Sequence, residues 1–340
     1  MNNIAPHSQQ TPLTEAWRGR TLGLFLAILA VMLIVTACDQ QSSGSSGSDG
    51  EAKANDLPDY VEAEIDVGSA TEMIAAGFGS IWVPDKHELT VSRIDPKTYK
   101  VVAKIETPHN PCVIGTGFGS VWQDLCEDQG LVRIDPETNK IVAKIDDVHI
   151  APKGAFGDGS VWGAFGDHVV RIDPQTNEVT EIPLDVAPFE VTYGGGTLWV
   201  LSVEAGKVLR IDPETNKVIA RIPVPTESYT VGWLDFAAGS FWVTINNNGT
   251  VVRIDPETNK VVAQIKVGPG NWYMDATDEG VWVKPQPGRL VRIDPETNKV
   301  AQEMKVPPGE YAGSVMVAYG SVWSAHWDAG SVWRIDPDDK

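Results

Sequence analysis

Basic residues are scarce in this chain. Its 340 residues include 27 Lys and Arg against 46 Asp and Glu. Residues 1–37 hold only Glu15, Arg18 and Arg20, so the rest of the chain carries 45 acidic and 25 basic residues, a net of −20. A surface this acidic repels polyphosphate and anionic headgroups, which excludes nucleic acid as a partner and polybasic docking on membranes. It suits the solubility of an exported protein. Helical periodicity is also missing, so the secondary structure is sought elsewhere. Catalytic signatures are lacking: there is no His-Glu-x-x-His, no Gly-x-Ser-x-Gly, no phosphate loop and no dinucleotide fingerprint. Paired carboxylates are too common in so acidic a chain to mark chemistry without geometry.

The only extended apolar run is Leu22 to Val35. It is short for a bilayer-spanning helix, which needs roughly 20 apolar residues. Arg18 and Arg20 precede it and small residues follow, the order of a secretory signal. The segment Val35-Thr36-Ala37-Cys38 resembles a bacterial lipobox, which implies a lipidated Cys38 as the first mature residue. The alternative is an uncleaved anchor with an incidental cysteine. Both readings tie the folded part to a membrane, outside the cytoplasm. Residues 39–55 are rich in Ser and Gly, a flexible coil reaching about 20–25 Å. Three cysteines are present, so lipidation of Cys38 leaves Cys112 and Cys126, an even number in an oxidising space and an expected disulfide.

From about residue 57 onward one phrase recurs. Trp82, Trp122, Trp162, Trp199, Trp242, Trp282 and Trp323 each precede an Asp, namely Asp95, Asp135, Asp173, Asp212, Asp255, Asp294 and Asp336. Those Asp residues are spaced by 40, 38, 39, 43, 39 and 42 positions, a repeat architecture. Each copy reads as four short strands separated by turn signals, an all-β array. In Asp-Pro-Glu-Thr-Asn the Pro presets φ, the Asp side chain accepts backbone amides, and the Asn tolerates a left-handed conformation. The seven Asp residues are therefore turn formers rather than a catalytic or calcium-binding ring. The Trp residues lie in apolar runs such as Leu198-Trp199-Val200-Leu201, the pattern of strands covered on both faces, so they are core. Seven four-stranded units predict a seven-bladed β-propeller. The last copy stops after its third strand, and residues 60–67 look like the missing fourth, so that segment is expected to complete the last blade and close the ring.

Gly-Ser-Val-Trp followed by Arg-Ile-Asp-Pro-Glu-Thr-Asn-Lys resembles the bacterial propeller repeats of the YVTN type and those of virginiamycin B lyase (streptogramin lyase) relatives, over about residues 60–340. The resemblance implies the fold; propellers of this kind host many functions. The lyases are understood to use histidines and an acidic residue on inter-blade loops, with magnesium, to eliminate across an ester. Here only His109 and His149 fall in such connections, without paired histidines in matching positions, so both are weak catalytic candidates.

The stereotyped turns share one face of a propeller, and the variable loops share the other, where binding is expected. All five histidines beyond the leader fall on the variable side: His87, His109, His149, His168 and His326. So do Phe189, Tyr229, Trp233, Trp272, Tyr273, Tyr311 and Trp327, a set suited to a sugar, a peptide or a flat apolar ligand, or to plugging the channel mouth. The histidines are scattered over several blades, so no metal site is expected. These residues support a monomeric, non-enzymatic module for an envelope protein, a glycan or a small ligand, without a cofactor. A lyase-like or lactonase-like enzyme, with magnesium only in the lyase case, and a structural envelope protein are the alternatives.

Overall fold

The computed structural model describes residues 57–126, 130–150, 154–225, 232–246, 248–270, 273–306 and 312–338. The leader, Cys38 and the tether lie outside them. The described residues form strands, turns and bends, with no helix. They make seven antiparallel four-stranded sheets. Each sheet's inner strand neighbours those of the sheets before and after it, and the first meets the last. The protein is a seven-bladed β-propeller.

Blade 2 shows the plan: inner strand Pro111–Gly117, second Ser120–Leu125, third Gly130–Asp135, outer Lys140–Asp146. Its second strand is buried at every position, whereas its outer strand is largely exposed. A sheet packed between two neighbours covers both faces of its middle strands, which is why they read as apolar runs. The inner and second strands of blade 2 are joined by a two-residue turn at Phe118 (φ 48°) and Gly119 (φ 75°), the type I′ geometry whose twist matches antiparallel strands.

The repeated residues now have physical roles. The motif Trp residues are at most 2 % exposed. In blades 1, 2, 3, 5 and 7 the indole Nε1 donates to an inner-strand carbonyl at 3.0–3.1 Å, so its buried polar atom is satisfied. In every blade the turn Asp accepts the amide two residues ahead at 2.7–2.9 Å. The turn Asn residues are left-handed, with φ between 54° and 62°.

The Arg before each Ile-Asp-Pro links neighbouring blades, a role the repeat pattern alone did not reveal. In blades 1 to 5 it lies 4.6–5.3 Å from the ring of its own blade's Trp. It also donates to the Pro carbonyl of the following blade at 2.5–2.7 Å. The same guanidinium bonds that blade's turn Asn Oδ1. The left-handed Asn is thus a turn former and an inter-blade acceptor at once.

Ring closure departs from this pattern. Val61–Asp66 pairs antiparallel with Ser331–Ile335 as the outer strand of blade 7. Val61, Ile65 and Val67 are buried there. Arg334 of blade 7 forms an ion pair with Glu62 and a 2.6 Å hydrogen bond to the Tyr99 hydroxyl. Tyr99 holds the left-handed turn position (φ 62°) that Asn fills in later blades.

Candidate functional site

Antiparallel blades send their second-to-third loops and their inter-blade connections to the same end of the ring. Three side-chain groups gather at that end.

The first spans blades 5, 6, 7 and 1. Glu72 precedes the inner strand Ala75–Gly77. Its carbonyl accepts the Ser314 amide at 2.6 Å, tying blade 1 to blade 7. Its carboxylate meets Lys86 Nζ at 2.8 Å and accepts the Tyr273 hydroxyl at 2.7 Å. Lys86 Nζ lies 4.8 Å from the Trp327 ring centre, and Tyr273 packs edge-on against Trp233 at 5.2 Å. Burial alone raises the pKa of Glu72, but the charge and hydrogen bond of Lys86 and the bond from Tyr273 outweigh it, so the net shift is downward and the carboxylate stays ionised. Burial, and then the Glu72 charge, push the Tyr273 phenol well above its ordinary value.

The second group adjoins it, since the Lys284 amide donates to the Tyr273 carbonyl at 3.1 Å. Lys284 is 1 % exposed, and its ammonium donates to the carbonyls of Gly313 (3.1 Å) and Ala325 (2.7 Å). Burial lowers its pKa to about 7. His326 follows Ala325, packs on Trp333 at 4.9 Å and is also buried. Burial, and secondarily the Lys284 charge, bring its pKa to about 2, so the imidazole is neutral.

The third group belongs to blades 2 and 3. Cys112 and Cys126 are joined by a disulfide. Asp124 sits beside it, 2 % exposed, accepting the Ile150 amide at 2.9 Å and facing His149 Nδ1 at 3.0 Å. Burial raises the Asp124 pKa, opposed by His149. His149 packs on Phe165 at 4.9 Å, and Phe165 meets His168 at 5.6 Å.

The residues expected from sequence separate accordingly. Tyr273 and Trp327 join the Glu72–Lys86 pair at half-buried positions. Trp233 and His326, expected among the binding residues, are core instead, at 3 % and 6 % exposure. Phe189 packs, partly buried, against the core cluster that includes Leu201, Leu234 and Ile245. His149 and His168 share one patch, His87 stands apart on Ser69 Oγ at 3.2 Å, and the His109 carbonyl accepts the Thr107 hydroxyl at 2.9 Å. Tyr229, Trp272 and Tyr311 lie outside the described residues. Sequence reading missed Glu72, Lys86, Asp124 and Lys284 as participants. A signal for two of them existed. Asp124 and Lys284 stand two residues after the motif Trp, where the other blades carry Pro84, Ala164, Leu201, Thr244 and Ala325.

Two surface clefts lie away from these groups. One of about 310 Å³ is lined by Tyr60 and residues 302–305, and one of about 430 Å³ by Phe78, Arg93, Gly119, Asp135, Pro136 and Glu137. Both are shallow and open, and neither includes any member of the three groups.

No protein-family model and no curated protein sequence matches the chain. Solved structures match in fold. A streptogramin B lyase superposes with a TM-score of 0.68 at 15 % identity, over 81 % of this chain and 96 % of that one. Hydrazine synthase of Kuenenia stuttgartiensis gives 0.70 at 13 %, over 84 % and 100 %. The β-propeller domain of Cps50 (Swd1) from Myceliophteria thermophila gives 0.66 at 12 %, over 82 % and 99 %. The architecture is therefore a seven-bladed β-propeller like that of a streptogramin B lyase and shared with proteins of unlike names, and at these identities the likeness concerns the fold alone.

Proposed function

We propose that this protein is a non-enzymatic binding module, held outside the cytoplasm on a membrane by lipidated Cys38, that receives a neutral or cationic partner over blades 6, 7 and 1. One observation carries this reading: the contact chain Trp327–Lys86–Glu72–Tyr273, which joins three blades on the variable face. Aromatic rings offer flat apolar faces, and the Glu–Lys pair offers an acceptor beside a donor. That combination suits a glycan or an extended peptide, both of which present apolar edges and hydrogen-bonding groups together. The acidic surface favours such ligands over polyanions. The described histidines are dispersed among separate groups, which speaks for binding rather than chemistry. In the test, the immobilised protein retains an envelope protein or a cell-wall glycan, and Trp327→Ala lowers the affinity at least tenfold, about 1.4 kcal/mol. Equal retention by wild type and variant removes this face from consideration.

A second reading rests on the Asp124–His149 pair beside an inter-blade connection, in a fold like that of a streptogramin B lyase. It is a magnesium-assisted lyase. Consumption of a streptogramin B that requires magnesium and is lost in His149→Ala favours it; no turnover at high enzyme concentration eliminates it.

A further inference from the structure

We propose that Cys112, Cys126, Asp124 and His149 form a thiol-gated site for a zinc-like divalent cation. The cysteines are locked in the disulfide when oxidised and become metal ligands when reduced.

The placement is built by paired strands. Cys112 is the second residue of inner strand Pro111–Gly117, and Cys126 directly follows second strand Ser120–Leu125. Pro111 pairs with Leu125, and the Cys126 amide donates to the Asn110 carbonyl at 3.1 Å. The two backbones are thus held beside each other by the sheet as well as by the disulfide. Asp124 lies between them in sequence. Ligand atoms of Cys112, Asp124 and Cys126 all fall within 4.8 Å of one another. Cys112 Sγ is 3.4 Å from Asp124 Oδ1, and the same oxygen is 3.0 Å from His149 Nδ1.

Cys112, Asp124 and Cys126 lie close enough to share one ion, and His149 adjoins them through Asp124. Zinc binds thiolate at about 2.3 Å and nitrogen or carboxylate oxygen at about 2.0–2.2 Å, so a tetrahedron has edges of roughly 3.3–3.8 Å. The S···O distance present falls on one such edge, and the 3.0 Å N···O contact is a hydrogen bond that must lengthen by about 0.3 Å to become another. Only the joined sulfurs are too close, and the cysteine Cα separation of 5.8 Å leaves room for their side chains to rotate apart. Two sulfurs, an oxygen and a nitrogen select zinc or a similar soft-tolerant ion over magnesium or calcium. Access exists, since Cys126 is half-buried and 16 % of the His149 side chain is exposed.

The switching chemistry requires a dithiol reductant. One of its thiolates attacks a cysteine sulfur and breaks the S–S bond, giving a mixed disulfide; its second thiol resolves that intermediate. The products are two protein thiols and a cyclic disulfide of the reductant, a two-electron exchange. Cation binding then releases the two thiol protons.

Cobalt(II) is the probe. The intact protein is reduced with dithiothreitol under nitrogen, freed of reductant and titrated. One equivalent is expected to raise a thiolate-to-cobalt charge-transfer band with strong tetrahedral visible bands, which zinc(II) then displaces. Oxidised protein and reduced protein alkylated with iodoacetamide are expected to lack the charge-transfer band, and Cys112→Ser, which keeps one thiolate, to bind more weakly with a reduced band. Asp124→Asn retains both sulfurs and is expected to bind at least tenfold more weakly. Absence of the band in reduced wild type overturns the proposal, as does its persistence after alkylation. An unchanged affinity in Asp124→Asn overturns the assigned ligand set.

Discussion

At the scale of single residues, the most repeated polar contacts are structural. Arg133 lies 4.6 Å from the Trp122 ring and donates to Pro174 O at 2.6 Å and Asn177 Oδ1 at 2.7 Å. Arg133→Ala leaves those acceptors unpaired between two blades and is expected to cost about 1–3 kcal/mol, read from the urea midpoint. Arg133→Lys restores less than half of the loss, because an ammonium cannot stack flat and fork at once. Lys284 gives a pH signature. Its folded pKa of about 7 lies below the unfolded value, so between pH 7 and 10 the unfolded chain holds a proton that the native protein has released. Stability of the wild type relative to Lys284→Met is expected to rise with pH across that window, by at most about 1.4 kcal/mol per unit. A pH-independent difference between the two melting curves contradicts a buried, depressed lysine. His326 acts with the same sign at lower pH: its neutral form contributes stability above about pH 6.5, lost as the unfolded chain protonates on acidification.

At the scale of elements, the closing strand and the inner-strand glycines are decisive. Deleting residues 60–67 removes Val61, Ile65 and Val67 from the core and bares the edge of Ser331–Ile335. The expected result is a clear fall in melting temperature together with concentration-dependent association, since an unpaired edge recruits other strands. An unchanged melt means that the strand contributes nothing to closure. Gly157 ends the inner strand of blade 3, and a Cβ there would stand 1.9 Å from the Tyr193 ring. Gly157→Ala is therefore expected to destabilise by about 1–3 kcal/mol through overpacking. Paired with Tyr193→Ala, most of that added cost disappears, a coupling that a double-mutant cycle measures.

At the scale of the whole molecule, the propeller is an acidic ring whose two ends differ. One end is made of near-identical turns and carries the Arg-to-turn links. The other gathers charges and rings from distant parts of the sequence, as where Tyr273 meets Glu72 across 201 positions. The anchoring proposal is separable from the fold. Cys38→Ser is expected to move the protein from the membrane fraction to the soluble one and to abolish labelling by a fatty-acid analogue, while the melt of the propeller is unchanged. Retention in the membrane without labelling instead identifies an uncleaved anchor.

The sequence by itself determined the number of blades, the class of every strand, the turn Asp and Asn residues and the burial of the motif Trp. These follow from local chemistry repeated seven times: period-two strands, Pro-preset turns and apolar runs are legible wherever the same physical problem recurs. Tertiary structure alone decided which pattern-breaking residues meet. Lys86, Glu72 and Tyr273 converge because ring closure brings blades 6, 7 and 1 together at one end, and nothing in a linear chain encodes that distance. It also decided that Trp233 and His326, which read as rim residues by their place in variable loops, lie in the core, because loop membership fixes an end of the blade but not the depth of a side chain. Asp124 is intermediate. Its charge in a repeat position that is uncharged in every blade but its own and that of Lys284 was visible in the sequence, whereas its place between a disulfide and an imidazole depends on strand pairing and on the next blade's approach.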